Sequence, residues 1–226
     1  MAMQKTPYPE RIYTVRRASA AVDLSADWDA PGWAAADALQ LDCVFKESSS
    51  HHPRTRVRML YDDAALYGMF LVEDRYVRAV ARHDQDPVCQ DSCVEFFVQP
   101  AGTDRYFNFE MNCGGTMLLY HITHCRSGNY EVIGAEELAQ IQRFHTLPER
   151  VEPEMGEDCT WRLAFRIPLE FLVKHSGINP ALSGQRWRGN FTKCADCCSH
   201  PHWISWQPLS KLDFHLPEEF GQLCFE

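Results

Sequence analysis

The chain has 226 residues, 45% of them hydrophobic and 12% aromatic, and its 22 basic against 31 acidic side chains leave a formal charge of −9. That apolar content excludes a chain that is mainly disordered and is enough for one globular domain with a full core. The acidic balance argues against a nucleic-acid partner, because phosphate is repelled unless a local basic stripe offsets the field.

The densest basic run, Arg54, Arg56 and Arg58, merely alternates along a strand. No stretch approaches the roughly 18 apolar residues of a membrane helix, so no membrane partner is expected. Met1 to Arg17 contains no uninterrupted apolar segment, which predicts a location inside the cell unless an export segment has been removed. The ten cysteines then read as reduced thiols packed as small hydrophobes, not as a disulfide framework.

Along the chain the dominant signal is alternation with period two. Val57, Met59 and Tyr61 share one face of a strand, Asp62 to Ala65 reads as a turn, and Leu66 to Val72 completes a hairpin. Strands follow at 94–98, 106–111 and 117–122, with breaks at Pro100 to Gly102 and at Gly114-Gly115. Residues 135–144 predict a short helix carrying Leu138, Ile141 and Phe144 on one side. Trp161, Leu163, Phe165 and Ile167 alternate in the next strand, and Pro168 then opens a helical turn over 169–173. Strands at 185–193, 202–206 and 221–225 finish the chain. Many short strands and few helices predict an all-β fold, an antiparallel β-sandwich with a few short helices, as a single domain over residues 1–226.

Four groups of residues carry chemistry. In Cys93-Val94-Glu95-Phe96-Phe97, alternation sets Glu95 on the face opposite Val94 and Phe96, and Asn108 and Glu110 share a face of the following strand. A hairpin between these strands puts Phe97 opposite Asn108 and Glu95 opposite Glu110. Two carboxylates so placed repel each other, which points to a ligand, a cation or a shared proton. A solvated polar face is the plainer alternative.

The stretch Thr192 to Trp206 holds Cys194-x-x-Cys197 with His200 and His202, half of a zinc pattern, beside Trp203 and Trp206. Phe214 stands before the turn at Pro217. Asp84-x-Asp86 followed by Asp91 serves turns first and also offers oxygen ligands to calcium. There is no nucleophile elbow, P-loop or dinucleotide fingerprint.

Taken in order, Tyr61-Asp62-Asp63 with Leu66-Tyr67, Asp91 to Phe97, Tyr106 with Asn108-Phe109-Glu110, Ser205-Trp206-x-Pro208 and Pro217 with Phe220-Gly221 resemble carbohydrate-binding module family 9, in its stand-alone bacterial branch, from about Ala18 to the end. The resemblance implies a β-sandwich that binds sugar without cleaving it. Founding members are attached to xylan-degrading enzymes and clasp a terminal sugar between two aromatic rings; several hold structural calcium.

Carried onto this chain, the resemblance puts Glu95 at the glutamate that bonds sugar hydroxyls. Asn108 falls on the strand of further polar contacts, Thr192 (or Lys193 after a one-residue slip) at a strand amide position, and His200 at a basic donor. Phe214 falls at one clasping tryptophan. The other clasping position is filled by about Cys89, leaving Trp203 as the spare aromatic; Trp206 is assigned to the core. The expected ligand is therefore a mono- or oligosaccharide from plant polysaccharide, with no cofactor required and structural calcium as the one candidate. Two other functions stay open: a glycoside-processing enzyme using Glu95 and Glu110, and a metal- or haem-binding sandwich using His200, His202 and the cysteines.

Overall fold

Alternating side chains need two surfaces to cover, and the chain answers with strands. The computed structural model describes residues 7–226. Its strands are β1 (Ile12–Arg17), β2 (Leu39–Leu41), β3 (Cys43–Val44), β4 (Arg54–Tyr61), β5 (Ala65–Asp74), β6 (Val77–Ala79), β7 (Cys93–Gln99) and β8 (Tyr106–Asn112). They continue with β9 (Met117–His124), β10 (Asn129–Val132), β11 (Gln142–His145), β12 (Val151–Met155), β13 (Cys159–Pro168), β14 (Arg186–Cys194), β15 (Trp203–Ser205) and β16 (Gly221–Phe225). The helices are short: α1 (Pro31–Ala34), α2 (Ala135–Leu138) and α3 (Leu169–Ser176).

One sheet runs β10-β9-β8-β7-β14-β16-β1 and the other β1-β4-β5-β13-β11. β1 belongs to both. Its first part, Ile12 to Val15, pairs with β16, and Arg16 and Arg17 pair with β4. A strand that changes partner along its length lets a continuous hydrogen-bonded sheet fold over on itself. Both of its pairings are parallel, an exception to the antiparallel pattern expected from sequence.

The core lies between the sheets. Phe96 of β7 stacks on Phe165 of β13 at 5.9 Å and on Phe191 of β14 at 5.1 Å. Gly68 of β5 is required by this packing. A Cβ there would stand 2.2 Å from Phe165 Cζ and 2.7 Å from Met59 Sδ. Gly68→Ala is expected to destabilise by about 2 kcal/mol or more through overpacking, lowering Tm by about 4–8 °C in calorimetry.

Most predicted strands are present with ends shifted by a few residues. Asp62 Oδ1 closes the expected turn by accepting from the amides of Ala64 and Ala65, each at 2.8 Å. The helix predicted over 135–144 stops at Leu138, and Gln142 to His145 pair instead with Leu163 to Arg166. The edge of β13 offers four residues of ladder, and that tertiary pairing overrides a short helical pattern. The turn after Pro168 is longer than expected and ends at Gly177, whose φ of +61° favours glycine.

The outer face of the second sheet is covered by the segment around Trp28 and Trp33. Arg58 lies 4.4 Å from the Trp28 ring, and Arg54 and Arg56 both pair with Glu73. The alternating arginines are thus consumed within the fold. Among the described residues no helix is long and apolar enough to cross a membrane.

Candidate functional site

The pleat of β7 sends Val94, Phe96 and Val98 into the core and Cys93 and Phe97 into a second apolar cluster on the outer face of the first sheet. Glu95 shares that outer face. The expected hairpin register holds: Glu95 is opposite Glu110 and Phe97 opposite Asn108. On its other side β7 pairs with β14, placing Thr192 against Glu95 and Cys194 against Cys93. A row of polar side chains therefore crosses three strands in the order Thr192, Glu95, Glu110.

Segments outside the strands cover this face. Leu209, Phe214, Leu216 and Phe220 pack on Phe97 and Tyr106, and a cavity of about 360 Å³ remains above the carboxylates. Glu95, Glu110, Cys194 and Phe97 form its floor; Cys89, Asp196, Trp203, Arg126, Asp213, Phe214 and His215 complete the wall. That volume is at the small end of the range for ligand sites, suited to a compact ligand.

The floor is buried and acidic. Glu95 is only 2% exposed. It accepts from the Thr192 hydroxyl and, at 3.3 Å, from the Cys194 thiol. Burial pushes its pKa up to about 7 against the pull of these two donors. Glu110 is pushed well above the carboxylate range, first by burial and then by Glu95, while Asn108 Nδ2 donates to it at 2.7 Å. Both shifts favour the protonated form, so the floor can offer a donor as well as acceptors.

At the wall Trp203 Nε1 donates to Asp196 Oδ1 at 2.7 Å, and the Arg126 guanidinium grips Asp213 at 2.5 and 3.2 Å. His215 is kept neutral by burial and by Arg126, its pKa lowered to about 4. Phe214 leans on Phe45 and Phe97, so most of its ring is committed to packing. Acceptors and donors below an aromatic wall suit a neutral polyhydroxylated ring.

Of the residues expected at the site, Glu95, Glu110, Phe214 and Trp203 line the cavity. Thr192 and Asn108 hold the two carboxylates in place. Two others are elsewhere. Lys193 follows Thr192 and so points through the sheet to the opposite face, where its ammonium donates to His202 Nε2 at 2.8 Å and lies 3.7 Å from Asp74 Oδ2. His200 stacks on Tyr76 at 3.7 Å and lines a different depression with His51 and Asp74. Trp206 is in the core as assigned.

The three aspartates suggested for calcium are not drawn together. Asp84 pairs with Arg143, Asp86 accepts from the amides of Arg82 and His83, and Asp91 accepts from Val80, Ala81 and Asn112. Most of their oxygens serve loop geometry, Asp91 Oδ1 alone being buried without a hydrogen-bond partner, and the three do not form one cage of the six to eight ligands calcium takes. The half-zinc pattern is likewise dispersed. Cys194 faces Glu95, Cys197 is exposed, and both ring nitrogens of His202 are occupied by Lys193 and the His200 carbonyl. His202 is thus unfitted to be a haem ligand. All ten cysteines are free thiols.

Sequence reasoning missed Arg126, Asp196, Asp213 and His215. Thr192 and Cys194 share a strand face, and the chain continues from there to Asp196, so that residue was within reach of the alternation argument. Arg126 and Asp213 are 87 residues apart and meet only through the covering segments, which no periodicity describes.

The sequence profile of carbohydrate-binding family 9 matches residues 33–225. The chain belongs to carbohydrate-binding family 9. A structure of a candidate carbohydrate-binding protein from Bacteroides uniformis superposes with a TM-score of 0.84 at 30% identity, covering 96% of this chain and 100% of that one. A family 9 module from Caldicellulosiruptor kristjanssonii bound to cellotriose matches with a TM-score of 0.65 at 13% identity, covering 96% of this chain and 94% of that one. A structure of a family 9 module from the same organism with glucose gives 0.61 at 14% identity and 96% of both chains. At such low identity these two report the shared fold, a β-sandwich. No functionally curated protein matches the chain.

Proposed function

We propose that this family 9 chain binds the end of, or a short piece of, a plant-polysaccharide-derived sugar without cleaving it, and that it supports polysaccharide degradation by holding that sugar. One observation carries the reading. Glu95 is a buried carboxylate held by a hydroxyl and a thiol, not by a basic side chain, on the floor of a cavity walled by Trp203 and Phe214. An acceptor arranged in this way is free to take two adjacent sugar hydroxyls, and charge-assisted bonds are about twice as strong as neutral ones. The apolar C–H face of the pyranose then rests on an aromatic face. Glucose and cellotriose, bound by the Caldicellulosiruptor modules, are the first ligands to test, with xylose and xylo-oligosaccharides beside them.

Binding, not hydrolysis, is favoured by the register. Glu95 and Glu110 rise side by side from neighbouring strands of one floor, so both meet the same side of a bound ring. A glycosidase needs its carboxyls on either side of the scissile bond. Calorimetry with the sugars above is expected to show one site per chain and no turnover of aryl glycosides. Absence of heat with all of them, together with no ligand-induced rise in Tm, would refute the reading.

Trp203 carries the wall. Trp203→Ala is expected to lower affinity by about ten- to a hundredfold, the equivalent of about 1–3 kcal/mol of lost aromatic contact, while Tm stays within a few degrees of the parent. An unchanged Kd would move the sugar away from that wall.

A further inference from the structure

The same floor holds two thiols that sugar binding does not use, beside the Glu95 carboxylate that it does. Cys93 and Cys194 are directly opposed on β7 and β14, and both are fully buried or nearly so. Their sulfurs and one Glu95 oxygen all lie within 4.8 Å of one another, with Cys194 Sγ 3.3 Å from Glu95 Oε1. In a tetrahedral zinc site the bond lengths give a sulfur–oxygen edge of about 3.5 Å and a sulfur–sulfur edge of about 3.8 Å. The Cys194–Glu95 separation matches one such edge, and the other two edges are bounded by 4.8 Å.

Charge points the same way. Glu95, Glu110 and Asp196 are brought to one cavity, and their nearest partners are a hydroxyl, thiols, an amide and an indole, none of them cationic. The cation at the rim, Arg126, is engaged by Asp213. Buried carboxylates gathered without a counter-charge are costly, and a bound cation removes that cost.

We propose that Cys93, Cys194 and Glu95 form a binding site for a thiophilic divalent cation of the zinc class, with its fourth coordination position open to the cavity. Two thiolates select against calcium and magnesium, which take oxygen ligands. Binding replaces the two thiol protons, which leave to solvent, with two metal–sulfur bonds; no electrons are transferred. Glu95 and Cys194 border the space assigned to sugar, from which water or a hydroxyl oxygen would complete the tetrahedron. Three protein ligands with an open fourth position is the arrangement of reactive zinc sites, whereas purely structural ones close all four. Cys89 lines the same cavity wall.

The test is titration of the full chain, reduced and stripped of metal, with Co²⁺ as a spectroscopic stand-in for zinc. The expected result is one equivalent bound, with a thiolate-to-cobalt charge-transfer band that zinc abolishes by displacement. Cys93→Ser and Cys194→Ser should each remove or strongly weaken the band, and Cys197→Ser, at an exposed cysteine outside the set, should leave it unchanged. Three outcomes overturn the proposal. One is no binding to the reduced wild-type chain. Another is binding without a sulfur band, as the group His121, Glu131 and His175 would give. The third is a band that survives both serine variants. The band is read without sugar, so this result and the failure of sugar binding are separately visible.

Discussion

Replacing Glu95 with alanine is expected to abolish sugar binding while the chain still folds. The carboxylate supplies the charged acceptor at the cavity floor, and a hydrogen bond to a charged group contributes about 1.5–3 kcal/mol. Losing two such bonds costs about 3–6 kcal/mol, or two to four decades in Kd, which places binding beyond calorimetric detection for an ordinary sugar-binding module. Folding is spared because the substitution also removes a buried carboxylate that repels Glu110. The measurement is thermal unfolding of parent and variant with and without ligand. The ligand-induced rise in Tm should vanish in the variant, and a rise equal to the parent's would count against the site.

Asp74→Ala is expected to have the largest effect on stability, and it explains why Lys193 is buried. Asp74 Oδ1 accepts from His51 at 2.8 Å, Oδ2 accepts from Trp161 Nε1 at 3.2 Å, and Lys193 lies 3.7 Å away in the same cluster. Removing the carboxylate strands a buried ammonium whose remaining partners are His202 and a carbonyl. Breaking a buried pair costs about 3–5 kcal/mol, a fall in Tm of about 6–20 °C for a chain of this size. A fall below about 2 °C would mean that the cluster is not an ion pair in solution.

The pH dependence has a definite sign. Burial alone would raise Asp74, but the Lys193 charge and the His51 hydrogen bond outweigh it and lower its pKa from 3.8 to about 2. A lowered carboxylate stabilises the fold above its unfolded pKa. That contribution, on the order of 2 kcal/mol, is lost as pH falls from about 3.8 through about 2. His202 acts in the same direction. Burial and Lys193 lower its pKa to about 2, so the fold favours its neutral form and loses stability as pH drops below 6.5. Urea unfolding across this range should show stability decreasing with acid, less steeply in Asp74→Ala below pH 4.

Strand pairing near the site was legible because alternation is a local signal with one answer. Once Val94 and Phe96 face the core, Glu95 must face away, and a short hairpin fixes its opposition to Glu110. The same rule locates Thr192 on the site and excludes Lys193, since neighbours on a strand point oppositely; the slip of one residue admitted by the family comparison is what misplaced it. Arg126 and Asp213 were illegible because they are brought together by covering segments without periodicity. The role of β1 as a shared strand was equally hidden, because partner exchange at Val15 and Arg16 depends on two distant strands, β16 and β4. The helix predicted to reach Phe144 failed for a related reason: a strand edge across the sheet outcompeted a weak local pattern.

The most direct test is a crystal structure of the wild-type chain with a cello-oligosaccharide bound. It should place two hydroxyls of one terminal ring within hydrogen-bonding distance of the Glu95 carboxylate, with the ring's apolar face against Trp203 or Phe214. Sugar bound elsewhere on the sandwich, with the Glu95 floor untouched, would contradict the account.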